Sequence, residues 1–311
     1  MASDLGSERL LITGASGFIG KHLLRRLLRE RVDLVVLGRT FPDGARQAGS
    51  RIKFLPCDFS DVSSLYRHRD ALATVDYVVH LGGASPHSPQ QDDPVTNITA
   101  NPLATAALIG LLSPQVRCFC YASTIDVYGV ATSRAFSEAD LPAPASYYGV
   151  SKLATEKLIE VFAKQTGVLA TILRLSHVYG PGDTSMKAIP TFIHAVLSGE
   201  APILRGDGSD TRDYVYVDDV VEAILLSLEK KTNGTFNIGS GKSTSVLQVA
   251  KTISHLLDSQ STPAKGPRIG PPTYISLSIE RARTILGFRP EISLEQGLGV
   301  TADWFKKRGN G

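Results

Sequence analysis

The 311-residue chain is 42% hydrophobic and 20% charged, with a formal net charge of +3, the balance of an ordinary soluble globular protein. Its basic residues are scattered and the run Lys306-Lys307-Arg308 reads as a solvated tail, so a nucleic-acid partner is not implied. The polar opening, residues 1–9, carries no secretory pattern, and the longest apolar stretch, 103–112, falls short of the ~20 residues that span a bilayer; a cytoplasmic protein without a membrane partner is expected.

In chain order, β-branched runs at 9–13, 32–37, 52–55, 75–81, 116–122 and 169–173 predict strands. Helical patterns at 22–30, 63–69, 102–112 and 150–164 fall among them. This alternation predicts an α/β fold with a doubly wound parallel sheet, and the apolar run Leu34-Val35-Val36-Leu37 suits a sheet covered on both sides. Cys118 and Cys120 flank Phe119 and are expected to share one sheet face. With Cys57 they are odd in number and lack metal-ligand spacing, so reduced, non-catalytic thiols and no metal are expected. After about Arg174, turns at Gly180-Pro181-Gly182 and Gly206-Asp207-Gly208 separate shorter helical patterns at 189–198, 217–228, 246–257 and 279–286. The break predicts a first domain over 1–174 and a smaller C-terminal α/β substrate lobe over 175–311, with some strand exchange back to the first. A ligand is expected between them at the strand ends.

The first strand, Leu10-Leu11-Ile12-Thr13, runs straight into Gly14-Ala15-Ser16-Gly17-Phe18-Ile19-Gly20, and a helix opens at Lys21. In that context the glycines allow a tight turn and close backbone approach, while the helix N-terminus offers free amides and a positive dipole end to a pyrophosphate. With two residues between its first pair of glycines, the turn resembles that of the extended short-chain dehydrogenases/reductases, whose first domain is a Rossmann fold. The resemblance places Ser16, Phe18 and Ile19 in a dinucleotide site with the three glycines. It adds Leu81, Gly82 and Gly83 after the fourth strand, Asn101, Val178, and the pair Asp58-Phe59, which could equally begin a helix as a cap. At the end of the second strand an acid would bond the 2′-hydroxyl of NAD, whereas an Arg accommodates the 2′-phosphate of NADP. Gly38 stands where the acid would be and Arg39 follows, so NADP(H) is favoured, with NAD(H) possible.

Tyr148 and Lys152 lie four apart at a predicted helix start, a spacing that stacks both side chains on one face. A phenol with a pKa near 10 is a poor base at neutral pH; an adjacent ammonium and a positive nicotinamide ring would lower it. About twenty residues earlier, Tyr121-Ala122-Ser123-Thr124-Ile125-Asp126-Val127-Tyr128-Gly129 is similar to the second catalytic segment of the same family. The resemblance implies hydride transfer at a carbinol or carbonyl carbon. Tyr148 would move the proton, Lys152 would tune Tyr148 and orient the ribose, and Thr124 would bond the reacting sugar oxygen.

Residues 174–182 and 206–220 resemble the sugar-nucleotide epimerase/dehydratase family, which implies a nucleotide-diphosphate sugar as partner. Arg212 and Arg268 stand where that family places guanidinium groups on the diphosphate, although Arg212 could instead pair with Asp218. His177 replaces the usual Asn that contacts the sugar nucleotide. A 4,6-dehydratase has an Asp for water loss where this chain has Ile125, with Asp126 next, so dehydration is disfavoured. A 4-epimerase keeps NAD tightly bound and commonly has an acid in place of Gly38. A 4-ketoreductase or dehydrogenase exchanges its cofactor, and the Gly38-Arg39 pair favours that reaction at C4 of the sugar, with the NAD-dependent 4-epimerase as the alternative. A non-catalytic NADP sensor on this fold would lack the Tyr, and a small uncharged ketone would need no diphosphate clamp. A homodimer through the helices at 102–112 and 150–164 is also expected from the resemblance.

Overall fold

The computed structural model describes residues 8–30, 32–41, 51–86, 91–129, 134–268 and 270–309, so most of the polar opening lies outside the described residues. The first half comprises β1 (Arg9–Thr13), α1 (Phe18–Leu27), β2 (Asp33–Gly38), β3 (Ile52–Pro56), α2 (Ser63–Tyr66), α3 (Arg69–Leu72), β4 (Tyr77–His80), α4 (Pro94–Ile98), α5 (Ala104–Leu111), β5 (Cys118–Thr124), α6 (Tyr147–Thr166) and β6 (Leu169–Leu175). The second half comprises β7 (His177–Tyr179), α7 (Ala188–Leu197), β8 (Ile203–Arg205), β9 (Thr211–Tyr216), α8 (Val217–Glu229), β10 (Gly234–Ile238), β11 (Ser243–Ser245), α9 (Val246–Leu256), β12 (Ala264–Gly266) and α10 (Leu294–Gly309).

The strand positions follow the sequence pattern; several helices differ from it for local reasons. Helix α1 starts at Phe18, four residues before the pattern predicts, because the turn glycine Gly17 is itself its N-cap. The helix predicted at 102–112 is α4 and α5 joined by a widened turn, Thr99–Leu103, that contains Pro102. Proline has no N–H to donate, and one loosened turn accommodates it without ending the helix. The pattern at 279–286 yields only the short widened turn Ala282–Leu286.

Seven parallel strands form the main sheet, in the order β10-β6-β5-β4-β1-β2-β3. The chain reverses direction of build between β1 and β4, and the crevice above the carboxyl ends of those strands is where this architecture receives a ligand. Strand β10 comes from the second half yet pairs with β6, from Gly234 against Thr171 to Ile238 against Leu175. Alternation along each strand feeds two cores: Leu10, Ile12, Cys118 and Cys120 face one side with Ile224 and Phe236, while Leu11, Phe119 and Tyr121 face the other with Leu108 and Ile159. Burial pushes the Cys118 and Cys120 thiols up to about 11 and about 12, which keeps them protonated and unreactive.

A three-stranded sheet, β11-β9-β7, and the pair β12-β8 build the smaller lobe around Phe192, Tyr216, Ile253 and Leu298. His22 of α1 ties the lobes together. Its Nδ1 meets Asp218 Oδ1 at 2.7 Å, and its Nε2 donates to the Pro181 carbonyl at 2.8 Å. Below the crevice, Glu156 of α6 and Arg174 of β6 form a buried ion pair at 2.7 Å, and Ser123 also donates to Glu156.

Candidate active site

The glycine turn is pressed against the segment that follows β4. Gly14 has φ +71°, and a Cβ there would come within 2.7 Å of the Gly82 nitrogen; a Cβ on Gly20 would lie 2.1 Å from the Gly14 oxygen. Only glycine fits either place. Gly17 caps α1 without a side-chain acceptor and the first turn holds no acid, so the amide end of the helix carries uncompensated positive potential. A cradle of this kind, with Ser16 beside it, fits the pyrophosphate of a dinucleotide. Phe18 and Ile19 also pack toward the core of the second lobe.

A buried polar relay holds Leu81, Gly82 and Gly83 in place. Gly82 N–H donates to Thr13 Oγ1 at 2.8 Å, which bonds His80 Nδ1 at 2.7 Å. His80 Nε2 reaches Thr105 Oγ1 at 2.9 Å, and Thr105 donates its own proton to the Asn101 carbonyl at 2.7 Å. Nε2 is therefore the ring's donor and Nδ1 its acceptor. Burial, with the nearby charge of Lys152, lowers His80 to about 3 and keeps it neutral. The Asn101 side chain accepts from Ala84 N–H at 3.0 Å and donates to Ser151 Oγ at 2.8 Å, fastening this loop to α6. Asp58 accepts from Ser60 N–H at 2.9 Å as a turn cap, while Phe59 is buried beside His80. At the far end, Gly38 has open space where a Cβ would stand, and Arg39 is exposed.

Two acceptors cap the helix that carries Tyr148 and Lys152. Ser146 Oγ takes Gly149 N–H at 3.0 Å, and the Asp92 carboxylate takes Tyr147 N–H at 3.0 Å and Tyr148 N–H at 2.8 Å. This clamp starts α6 at Tyr147, three residues before the predicted start, and sets Tyr148 in its first turn. The hydroxyls of Ser85 and Thr124 lie beside the Tyr148 phenol, and Thr124 Oγ1 donates to Asp126 Oδ2 at 3.1 Å.

Burial pushes the Tyr148 phenol upward, the charge of Asp126 adds to the rise, and the hydroxyls of Ser85 and Thr124 oppose it. Lys152 is itself buried, which brings it down to about 7. Its ammonium donates to the Ala122 carbonyl at 2.6 Å and lies 4.3 Å from the centre of the Tyr121 ring.

Across the crevice, Arg212 is half-buried and donates to the carbonyls of Thr211 at 2.8 Å and Thr273 at 3.1 Å. Asp218 is bound to His22 instead, so the pairing weighed for Arg212 does not form. Arg268 is engaged by Asp210 at 2.8 Å and Asp207 at 3.2 Å, which leaves Arg212 the freer guanidinium for a diphosphate. His177 of β7 has a buried Nδ1 without a hydrogen-bond partner among the described residues, and Val178 follows it half-buried. Burial, with Arg212 and Lys187 nearby, lowers His177 to about 3, so a neutral ring replaces the expected amide. Ile125 packs into the core with Tyr128, Phe136 and Leu277, while Asp126 opens to the crevice.

Sequence reasoning passed over Ser85, Asp92 and Lys187. Ser85 follows the glycine pair after β4, and Asp92 precedes the Asp93-Pro94 helix start; neither position announces that it meets Tyr148. Among the described residues no helix is long and apolar enough to cross a membrane, and no group of His, Cys, Asp or Glu is arranged to hold a metal ion.

Residues 10–239 match the model of the NAD dependent epimerase/dehydratase family. A putative UDP-glucose 4-epimerase of Methanocaldococcus jannaschii is 31% identical over 96% of this chain and 98% of its own length. The crystal structure of a UDP-glucose 4-epimerase from Thermotoga maritima with UDP-glucose superposes with a TM-score of 0.84 at 32% identity, covering 96% of this chain and 99% of that one. A UDP-glucuronic acid 4-epimerase mutant from Bacillus cereus, in complex with a UDP-4-deoxy-4-fluoro-glucuronic acid and NAD, gives 0.85 at 29% identity, with the same coverage.

Proposed function

Because the chain belongs to the NAD-dependent epimerase/dehydratase family, we propose that it is an NAD-dependent 4-epimerase of a UDP-hexose. The observation that carries this reading is the meeting of three hydroxyls, Tyr148, Thr124 and Ser85, at the switch point beside the glycine turn, with Arg212 across the crevice. When bound, NAD supplies the acceptor for a hydride and returns the same hydride.

The protein's own part is positioning and proton traffic. Tyr148 takes the proton from the sugar 4-hydroxyl as C4 is oxidised and gives it back on reduction, so no net proton or electron is consumed. Thr124 holds the same oxygen from a second direction. Arg212, with Lys187 nearby, faces the diphosphate, and the empty acceptor at His177 Nδ1 suits a donor on the sugar nucleotide. Lys152, Glu156 and Arg174 hold α6 against β5 and β6 beneath the site.

A second reading, an NADP(H)-dependent 4-ketoreductase or dehydrogenase, is favoured by one feature: the end of β2 has Gly38 and an exposed Arg39 in place of an acid. One experiment separates the two. The purified protein is denatured, the released dinucleotide is identified by mass, and UDP-glucose is followed into UDP-galactose without added cofactor. Retained NAD with interconversion is the expected result. No retained dinucleotide, with NADPH oxidised by nucleotide-linked 4-keto sugars and an Arg39→Ala variant weakened more for NADPH than for NADH, would establish the ketoreductase instead.

The same helices offer a surface for a second copy. Val95, Leu103, Tyr147, Val150, Leu158 and Val161 are exposed on α4, the turn after it and one stripe of α6. A homodimer through this stripe is proposed, and sedimentation of the wild type against Val161→Glu tests it.

A further inference from the structure

A buried ammonium needs an anion or a set of acceptors to offset its lost hydration. Lys152 is buried, yet among the described residues it forms no ion pair. Glu156, one turn further along α6, is committed to Arg174 at 2.7 Å and to Ser123. The Ala122 carbonyl accepts from the ammonium at 2.6 Å, and the other group that meets it is the face of the Tyr121 ring, whose centre lies 4.3 Å from Nζ. That ring is buried on β5 and braced. His80 stacks on it with centroids 5.5 Å apart and 26° between the planes, and Thr13 and Thr105 fix His80 in turn at 2.7 and 2.9 Å.

Resting on the reading of Tyr148 and Lys152 as the pair beside the reacting carbon, we propose that Tyr121 is a positioning residue: the face of its ring is the counter-group of the Lys152 ammonium, standing where an ion pair would. The negative face of an aromatic ring attracts a cation most strongly when neither is hydrated, and both are buried here. The contact favours the charged amine, whereas burial favours the neutral one. It also holds the ammonium on the β5 side of α6, on the helix face that Lys152 shares with Tyr148. A carboxylate in the same place would add a negative charge near the Tyr148 phenol and raise it further; a ring adds none. The titratable and charged groups around Lys152 are His80 on β4, Tyr121 on β5, and Tyr148 and Glu156 on α6, with Arg174 of β6 behind Glu156. His80 is neutral and Glu156 is shared with Arg174, which leaves the ring as the close electrostatic partner.

The test reads the amine itself. The protein as purified, with its lysine ε-carbons isotopically labelled, is titrated across neutral pH by NMR, and the Lys152 signal is assigned by its absence from Lys152→Arg. Tyr121→Leu is expected to lower the Lys152 midpoint by about one pH unit, a tenfold change in its protonation equilibrium. Tyr121→Phe, which keeps a ring face, should stay within ~0.3 unit of wild type. Tyr121→Met takes the place of Tyr121→Leu if the latter does not fold. Equal midpoints in wild type and the ring-less variant overturn the proposal, as does a fall in Tyr121→Phe as large as in Tyr121→Leu. Turnover of UDP-glucose gives a second readout. If the charged amine is the working form, the alkaline limb of the kcat profile moves to lower pH in Tyr121→Leu by the same unit, whereas lost packing alone lowers the rate at every pH and moves no limb. A limb that stays in place overturns the role in the reaction. If no UDP-hexose is interconverted, the epimerase reading fails on its own, and the NMR midpoints still decide whether the ring holds the charge.

Discussion

The two halves of the crevice are built from different materials. The half proposed for the dinucleotide is mostly backbone: the Gly14–Gly20 turn, the amide end of α1 and the loop after β4, all held by close approach and by the Thr13–His80–Thr105 relay. The half proposed for the sugar is mostly side chain: Tyr148, Thr124, Ser85, Asp126, His177 and Arg212, gathered from both lobes. Backbone cradles bind what the whole family binds, because they tolerate almost no substitution. A side-chain wall can be altered one residue at a time, and Ile125 and His177 lie in that wall.

If that division is right, changes in the two halves should fail differently. Tyr148→Phe should cut epimerisation by ~10³-fold, about 4 kcal/mol of barrier, while dinucleotide affinity stays within a few-fold of wild type. Steady-state rates and a fluorescence titration with NAD check both parts; joint loss of rate and affinity would break the division. Glu156→Gln lies beneath both halves and leaves the buried Arg174 charge uncompensated. It should cost about 3 kcal/mol or more of unfolding free energy, read from denaturant midpoints, with both halves weakened together. Gly20→Ala should cost about 2 kcal/mol through its clash with Gly14 and reduce NAD affinity more than UDP affinity, as calorimetry with each ligand would show.

The smallest expected effect, taken over a single pH unit, is that of pH on the backbone half. His80 has a folded pKa of about 3 against its ordinary value of 6.5, so between those values the unfolded chain binds more protons. Stability therefore falls as the pH drops from about 6.5 toward 3, by at most about 1.4 kcal/mol per pH unit from this residue. A His80→Asn variant should show a flatter decline over that window in thermal unfolding; an unchanged slope would remove His80 from the account.

Much of the backbone half was legible in the sequence, because glycine spacing and strand alternation are local. Gly14 must be glycine for its own φ and contacts, and Leu10, Leu11 and Ile12 reveal their faces through alternation alone. That Tyr148 and Lys152 share one helix was legible for a similar reason. Their surroundings were not: the Lys152 ammonium is buried against β5, and burial with the charge of Asp126 raises the Tyr148 phenol.

What the amino-acid sequence determined by itself was the parallel α/β framework, the glycine turn that opens α1 and the placing of Tyr148 and Lys152 on one helix, each written in short-range spacing. The tertiary structure decided which partners those residues meet. It set β10 beside β6, brought Asp92 under Tyr148, turned Asp126 into the crevice and gave Arg268 to Asp207 and Asp210 while leaving Arg212 to face the site. Several of these pairings span tens of residues or more, and no local periodicity encodes a contact at that separation; packing and charge satisfaction select it only once the whole chain is folded.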